Sequence, residues 1–194
     1  MIVLASQSAS RRAMLEAAAI PFCAQPAHVD ERAIEAALDD ATPADVALAL
    51  ARAKAESVSR ETSGAIVLGS DSLVSCAGRR FDKPGSREDA AAHLRFFSGK
   101  VMELHSAAAL VRDGELLWAD AAIAELHVAE LSDAFIARYL DAEWPAVAAC
   151  VGVFRIEGPG VQLFERIDGD YFTILGMPLL RVQAALRRLG ALAS

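Results

Sequence analysis

The sequence predicts an α/β protein in which a mixed, twisted sheet is flanked by helices and two lobes surround a cleft. Short apolar runs of strand length, such as residues 65–69, alternate along the chain with segments of helical composition. Two long strand-like segments, residues 101–112 and 115–128, flank Asp113-Gly114, a dipeptide favoured in tight hairpin turns. A chain of 194 residues that is 54% hydrophobic can bury a substantial core, and we expect residues 1–194 to form a single domain.

The N-terminal third of the chain is predicted to contain two strands, two helices and an extended segment. Residues 21–30 are assigned as extended because Pro21 and Pro26 disfavour helix. The second helix has a strong start signal, since Thr42 can serve as its N-cap and Pro43 occupies its first position. In order, the predicted elements are a strand at 2–5, a serine-rich turn at 6–10, a helix at 11–19, the extended segment at 21–30, a helix at 44–59 and a strand at 65–69 that ends at Ser70-Asp71-Ser72.

The rest of the chain continues this alternation. Ser86 is a predicted N-cap, and its helix carries Glu88 and Asp89 in the first turn, where the helix dipole favours acids. The closing helix has Arg187 and Arg188 near its C-terminal end, where the dipole favours cations. The predicted elements are a second strand and a turn within 73–81, a helix at 86–97, the hairpin strands at 101–112 and 115–128, a helix at 132–140, a strand at 161–167 and a helix at 178–189.

Charge and composition narrow the class of partner. The formal net charge of −7 argues against a general nucleic-acid binder, which needs a basic surface to neutralise phosphates. The three cysteines and four histidines lack metal-ligand spacing, so we expect buried thiols in a reducing compartment and histidines in core or surface positions. Neither a signal peptide nor an apolar run of the roughly 20 residues that span a membrane is found, which predicts a cytoplasmic protein without membrane partners.

The serine-rich turn at 6–10 is the first candidate site. It leads into a helix whose first turn carries Arg11 and Arg12. Backbone N–H groups at a helix N-terminus, hydroxyls and guanidinium groups together form an anion site that suits a polyphosphate. The alternative is ordinary helix capping beside two solvated arginines.

Carboxylates and lysines supply further candidates. Asp71 ends a hydrophobic strand, where ligands bind in open α/β sheets, and could coordinate Mg²⁺ or take a proton from water. Asp30-Glu31, in a stretch predicted to be non-helical, could share a metal with Asp71. The alternatives are a turn aspartate and a solvated charge pair. Lys54 and Lys83 could each reach a phosphate as a point charge, or lie solvated on the surface.

In their order along the chain, these segments resemble the Maf family over nearly its whole length. The resemblance implies a homodimeric, ITPase-like α/β protein whose cleft binds a nucleoside triphosphate with a divalent metal, Mg²⁺ or Mn²⁺. It also implies a hydrolase of acid anhydrides that releases the monophosphate and pyrophosphate. The matching stretches are Leu4-Ala5-Ser6-Gln7-Ser8 with Arg11-Arg12, Val29-Asp30-Glu31, Ala53-Lys54-Ala55, Gly69-Ser70-Asp71, Lys83-Pro84, Leu94 through Ser98-Gly99, Ile156-Glu157-Gly158, Phe164, Ile167-Asp168-Gly169 and Gly176-Met177-Pro178.

The resemblance also implies a role for each candidate residue. Asp71 would accept the proton of the attacking water close to the metal, and Glu31 would be a second, metal-linked carboxylate. Cations, a metal and one base suffice, because phosphoryl transfer depends chiefly on positioning and charge stabilisation. The phosphates would be held and neutralised by Ser6, Ser8, Arg11, Arg12, Lys54 and Lys83.

Three positions bear on base preference: Ser10, Ser72 and Glu157. The branch of the family that acts on dTTP and UTP typically has arginine, threonine and glutamine there, and the 7-methyl-GTP branch has tryptophan, glutamine and glutamate. Only Glu157 agrees with either branch. A glutamate offers acceptors alone and suits the N1–H and amine of guanine. Ser10 offers no aromatic face to a cationic methylated base. The resemblance therefore favours 7-methyl-GTP, with dTTP/UTP hydrolysis as the alternative.

Two other functions fit parts of the sequence. One is a nucleotide-binding regulator of cell division without turnover, and the other is a pyrophosphatase for damaged purine nucleotides. Asp71, Glu31 and the two lysines favour the enzyme over the regulator, because a binder needs no water-activating carboxylate. The ordered motifs fit the damaged-purine enzymes less well.

Overall fold

A computed structural model describes residues 1–193 and shows a mixed sheet flanked by helices, as predicted. Strands in the described residues follow the order β2-β1-β3-β5-β6-β7, and β4 pairs with β3. Pairing is parallel from β1 to β2 and β3, and antiparallel from β3 to β4 and from β6 to β7. The strands are β1 (Ile2–Leu4), β2 (Cys23–Ala24), β3 (Ile66–Cys76), β4 (Arg79–Phe81), β5 (Val101–Arg112), β6 (Glu115–Val128) and β7 (Phe164–Asp168).

The helices begin at the capping residues that the sequence indicates. Ser8, Thr42, Ser86 and Ser132 each accept a hydrogen bond from a backbone N–H of the first helical turn, which satisfies one of the donors left unpaired there. The helices are α1 (Ala9–Ala17), α2 (Glu31–Ala36), α3 (Pro43–Ser59), α4 (Arg87–Phe97), α5 (Asp133–Glu143), α6 (Tyr171–Ile174) and α7 (Leu179–Arg188), with short 3-10 helices at Ala146–Ala149 and Pro159–Leu163. Across the described residues, every helix is too short or too polar to cross a lipid bilayer.

The chain forms two compact units. Unit 1 contains 1–72, 105–122 and the described residues from Tyr171 onward, and unit 2 contains 73–104 and 123–170. The core of unit 1 packs β1 and the first half of β3 against α1 and α7, through side chains such as Leu4, Leu15, Leu68 and Leu186, which are fully buried. Burial of this apolar surface is the main force that holds the elements of unit 1 together.

Unit 2 has a core with an aromatic cluster. Phe81 of β4 packs edge-on against Phe97 of α4, with the ring centroids 4.6 Å apart, and also contacts Phe96 and His93. The Arg79 guanidinium lies 4.7 Å from the centre of the Phe81 ring, so this strand residue covers an aromatic face.

Three element predictions are wrong. The strand predicted to end before Ser70 continues to Cys76, because its polar side chains find partners: the Ser70 hydroxyl donates to the Ala107 carbonyl at 2.8 Å. Asp71 therefore lies within a strand rather than at its end. The segment of Glu31 is helical, since Asp30 caps α2 by accepting from the Ala33 N–H at 3.0 Å. The strand predicted from 161 begins only at Phe164, after the 3-10 helix that Pro159 starts.

The cysteine prediction is wrong in part. Cys76 is buried and Cys150 is half-buried, but Cys23 is exposed. Its strand, β2, comprises two residues and has both side chains exposed, so burial does not follow from the strand assignment there. All three cysteines are free thiols.

Candidate active site

The Lys54 ammonium connects the two carboxylates that the sequence singles out. Its Nζ lies 2.5 Å from Asp71 Oδ1 and 2.7 Å from Glu31 Oε1. The side chains of Lys54 and Asp71 are 14% and 11% exposed, whereas Glu31 is 49% exposed. A charge pair at this depth keeps more of its attraction than one in water, because the local dielectric is lower. We call this arrangement the Lys54 bridge.

The Lys54 bridge exists because α3 approaches β3 unusually closely. A Cβ placed on Gly69 of β3 would lie 2.0 Å from the Ala51 carbonyl oxygen and 2.8 Å from the Ala55 N, both in α3. Only glycine lets the two backbones come this near. Ala51 and Ala55 are fully buried on the face of α3 that meets β3. Small residues on both elements thus bring Lys54 within reach of Asp71.

The Arg11 guanidinium forms a second network beside this bridge. Arg11 Nε donates to the Gly176 carbonyl at 2.9 Å, Nη2 to the Ser72 Oγ at 3.0 Å and Nη1 to the Ser6 Oγ at 3.3 Å. Burial lowers the pKa of Arg11, and the negative charges of Asp71 and Glu31 oppose that shift. Arginine remains protonated regardless, and two of its five N–H donors stay outside these three bonds. We call these contacts the Arg11 network.

The serine-rich turn supports the Arg11 network from the N-terminus of α1. Ser8 is the N-cap of α1, and its Oγ accepts from the Arg11 N–H at 3.4 Å. The buried Ser6 Oγ accepts from the Ser8 N–H at 3.2 Å. Ser10 is half-buried and Arg12 is exposed, both in the first turn of α1. The structure therefore places the hydroxyls and the first N–H groups of α1 in one neighbourhood with Arg11.

Several residues of this neighbourhood were missed as site residues in the sequence. The Gly176 carbonyl accepts from Arg11, from Ser70 at 3.2 Å and from Ser72 at 2.8 Å. Gly176 has φ +104, a conformation that favours glycine. The Ser106 hydroxyl lies 3.1 Å from Ser72 and donates to the Thr173 carbonyl at 2.8 Å. The one signal in the sequence was the family-like stretch Gly176-Met177-Pro178, which carries no predicted role.

Two of the predicted residues belong to unit 2. Lys83 and Glu157 are both exposed, in loops. Burial raises the pKa of the Cys150 thiol, the charge of Glu157 raises it further, and the charges of Arg155 and Lys83 lower it. The charges of Lys83 and Glu157 thus both act on the Cys150 thiol.

The loop that carries Glu157 is tied to α5. Arg155 forms a two-bond ion pair with Glu143 of α5, from Nε to Oε2 at 2.8 Å and from Nη2 to Oε1 at 3.0 Å. The Glu143 side chain is 3% exposed. In the same loop the Val153 carbonyl accepts from the Tyr139 hydroxyl at 3.0 Å. These contacts tie the loop to α5 through residues 153 and 155, close to Glu157 in the chain.

The donor set of the Lys54 bridge fits a divalent metal. Oxygens of Glu31 and Asp71 both lie within 2.7 Å of one nitrogen, so a single cation already engages both carboxylates. Oxygen ligands are those that Mg²⁺ and Mn²⁺ prefer. The two carboxylates of the Lys54 bridge therefore offer oxygens of the kind that such an ion binds.

Comparison with known proteins identifies a family and close relatives of this chain. The protein-family model described as Maf-like protein matches residues 1–189 of this chain. The 7-methyl-GTP pyrophosphatase of Rhizobium meliloti (strain 1021) is 48% identical over 194 residues, covering 99% of this chain and 98% of that protein. The 7-methyl-GTP pyrophosphatase of Mesorhizobium japonicum is 50% identical over 193 residues, 98% of this chain and 97% of that protein. The nucleoside triphosphate pyrophosphatase of Nitrobacter winogradskyi is 45% identical over 186 residues, 96% and 92% of the two chains.

Proposed function

We propose that this chain, which belongs to the Maf family, is a hydrolase that converts nucleoside triphosphates to the monophosphate and pyrophosphate. The observation that carries the proposal is the Lys54 bridge, which holds the Asp71 carboxylate beside the Arg11 network and the N-terminus of α1. Such a site combines one base with fixed positive charge, which is what phosphoryl transfer to water requires.

Asp71 is the proposed proton acceptor. Lys54 engages Oδ1 of its carboxylate and orients the group, which leaves Oδ2 to accept a proton from the water that attacks the α-phosphorus. Because Asp71 lies within β3 and is 8% exposed, its position is set by the sheet rather than by a mobile loop. A rigid support of this kind keeps the base at the distance that proton transfer needs.

Phosphate binding is assigned to the cations and hydroxyls around α1 and α3. Arg11 keeps N–H donors outside its three protein contacts, and Arg12 is exposed beside the first N–H groups of α1. Ser6 and Ser8 supply hydroxyls there, and Lys54 supplies an ammonium. Lys83 is proposed to add a further charge, on the basis of the family resemblance alone.

Glu31 and Asp71 are the residues proposed to hold a divalent metal, Mg²⁺ or Mn²⁺. Such an ion would neutralise negative charge on the phosphate oxygens and so make the phosphorus more open to attack by water. The Glu31 side chain is 49% exposed and the Asp71 side chain 11%, so Glu31 is the carboxylate that faces solvent more.

The proposed substrate is 7-methyl-GTP, with dTTP and UTP as the alternative. Relatives that are 48% and 50% identical are named for 7-methyl-GTP. Glu157 is exposed on a loop anchored through Arg155, and its carboxylate suits the donor-rich edge of guanine. Ser10 and Ser72 match neither branch, and Ser72 also serves the Arg11 network. The homodimer remains a proposal that rests on the resemblance, and the cytoplasmic location remains one that rests on the sequence patterns described above.

Product analysis of an Asp71→Asn variant tests the proposal. Triphosphates including 7-methyl-GTP, GTP, dTTP and UTP are incubated with Mg²⁺ or Mn²⁺, and products are separated by chromatography. We expect monophosphate and pyrophosphate from the wild type and a loss of at least about a hundredfold in Asp71→Asn, since an amide cannot serve as base. Asp39→Asn, at an exposed carboxylate of unit 1, is the matched control and keeps wild-type activity.

The outcomes separate the rival functions. Diphosphate with orthophosphate would show attack at a different phosphorus and refute the assignment of Asp71. Tight nucleotide binding without turnover would favour the regulator. Preferential turnover of deaminated purine triphosphates would favour the damaged-purine enzyme instead.

A further inference from the structure

Glu125, His127, Asp168 and Arg166 lie together on one face of the β6–β7 ladder in unit 2. The strands are antiparallel, and their register pairs Glu125 with Asp168 and His127 with Arg166. Residues two apart on a strand point to the same face, so all four side chains project together. β7 is the last strand in the sheet order, which leaves this ladder at an edge of the sheet.

Three of these side chains converge closely enough to share an ion. One ligand atom from each of Glu125, His127 and Asp168 lies within 4.8 Å of the other two, and His127 Nε2 is 3.0 Å from Asp168 Oδ2. Ligand atoms around one tetrahedral Zn²⁺ are about 3.4 Å apart, given bonds of roughly 2.0–2.2 Å. Glu125 and Asp168 are exposed, so small rotations of their carboxylates close the difference.

The Arg166 guanidinium already binds one carboxylate of this cluster, and a metal ion can replace it. Arg166 donates to Asp168 Oδ2 through Nε at 2.8 Å and also through Nη2. The Arg166 side chain is 64% exposed, and ion pairs of exposed side chains contribute little free energy. Displacing the guanidinium therefore weakens metal binding by no more than about fivefold. Glu125 is exposed, and its charge attracts Arg166 as well, but no hydrogen bond of its carboxylate is found among the described residues, so the carboxylate is available.

We propose that Glu125, His127 and Asp168 bind one Zn²⁺ ion. An imidazole with two carboxylates is a ligand set that suits Zn²⁺, whereas Mg²⁺ favours oxygen ligands and keeps its waters. None of the three residues belongs to the Lys54 bridge or the Arg11 network, so this site does not depend on the proposed hydrolysis. Because the ligands come from both strands, bound zinc holds the edge strand β7 on β6 and stabilises the folded state by mass action.

The test measures zinc affinity by calorimetry, and the zinc-dependent shift of the unfolding temperature, on the full chain. A Cys23→Ser background removes the exposed thiol as a competing zinc ligand. Co²⁺ serves as a second probe, because its visible absorption reports the coordination geometry. We expect one zinc ion per chain at this site. In His127→Ala the zinc affinity should fall by at least about tenfold, because even loss of a residue that only hydrogen-bonds a metal ligand has an effect of that size.

Arg166→Ala is the variant that distinguishes this site from nonspecific binding. It removes the competing guanidinium, so we expect zinc affinity to rise by up to about fivefold. Asp133→Asn, at an exposed carboxylate of the same unit that also pairs with an arginine, is the matched control and leaves zinc affinity unchanged. Each variant is first shown to unfold at the wild-type temperature without metal. If His127→Ala does not, His127→Gln takes its place. Equal zinc affinity in the wild type and the His127 variant, or weaker binding in Arg166→Ala, overturns the proposal.

Discussion

Replacing Gly69 with alanine should disable the site without removing any group that takes part in it. The added Cβ would lie 2.0 Å from the Ala51 carbonyl oxygen and 2.8 Å from the Ala55 N. Contacts below 3.0 Å essentially do not occur for real Cβ atoms, so α3 and β3 must separate by about 1 Å. Lys54 lies on α3 and Asp71 on β3, and the separation therefore acts directly on the Lys54 bridge.

The expected magnitude follows from this displacement. An increase of about 1 Å takes the 2.5 Å contact between Lys54 Nζ and Asp71 Oδ1 beyond ordinary hydrogen-bond length. A misplacement of that size typically costs about a hundredfold in rate. Overpacking at a buried interface costs about 1–3 kcal/mol of stability, and each kcal/mol lowers the unfolding temperature by about 2–4 °C in a chain of this size.

The assay compares turnover and thermal unfolding in Gly69→Ala and Gly85→Ala. A Cβ at Gly85 would lie 3.5 Å from the nearest atom, an Asp89 carboxylate oxygen, which is ordinary contact, so this control should keep wild-type activity and stability. Rates are measured at least 15 °C below the lower unfolding temperature, so that loss of activity is not loss of fold. Wild-type turnover by a folded Gly69→Ala protein would refute the claim that the close approach of α3 to β3 is needed for the contact between Lys54 and Asp71.

Three further predictions concern single side chains. Glu157→Gln should shift preference from 7-methyl-GTP towards pyrimidine triphosphates by about tenfold in kcat/KM, because an amide both donates and accepts; an unchanged ranking across the substrate panel removes Glu157 from base recognition. Arg155→Ala should lower the free energy of unfolding by about 3 kcal/mol in denaturant titration, since it leaves the buried Glu143 carboxylate unpaired, and a loss under 1 kcal/mol would contradict this. Lys83→Ala should reduce turnover more than Arg80→Ala, and equal small losses would mean that Lys83 does not contact phosphate.

Local signals in the sequence predicted much of the fold. Helix starts were predictable because Thr42 and Ser86 satisfy N–H groups only three residues away. The β5–β6 hairpin was predictable for the same reason, since Asp113-Gly114 sets the turn by its own backbone preferences, and both adopt positive φ. Each of these features depends on neighbours in the chain rather than on contacts across the fold.

Features that depend on distant contacts were not predictable. Polar residues usually end a buried strand, but β3 passes through Ser70 to Ser72 because carbonyls at 107 and 176 accept their hydroxyls. The identity of Asp71, Glu31 and Lys54 as candidates came from the sequence, whereas the direct contact of Lys54 with both carboxylates required the fold. His127 gave no signal either, because Asp168 lies 41 residues away along the chain.

The Arg11 network can form only at a late stage of the protein's synthesis. Arg11 emerges early, yet its Nε partner, the Gly176 carbonyl, lies 165 residues later. Domains form as their chain becomes available, and contacts between distant segments form last. A nascent chain that ends before residue 176 leaves the guanidinium without this acceptor and the hydroxyl of Ser72 without its carbonyl. The Arg11 network is therefore complete only when translation is nearly finished.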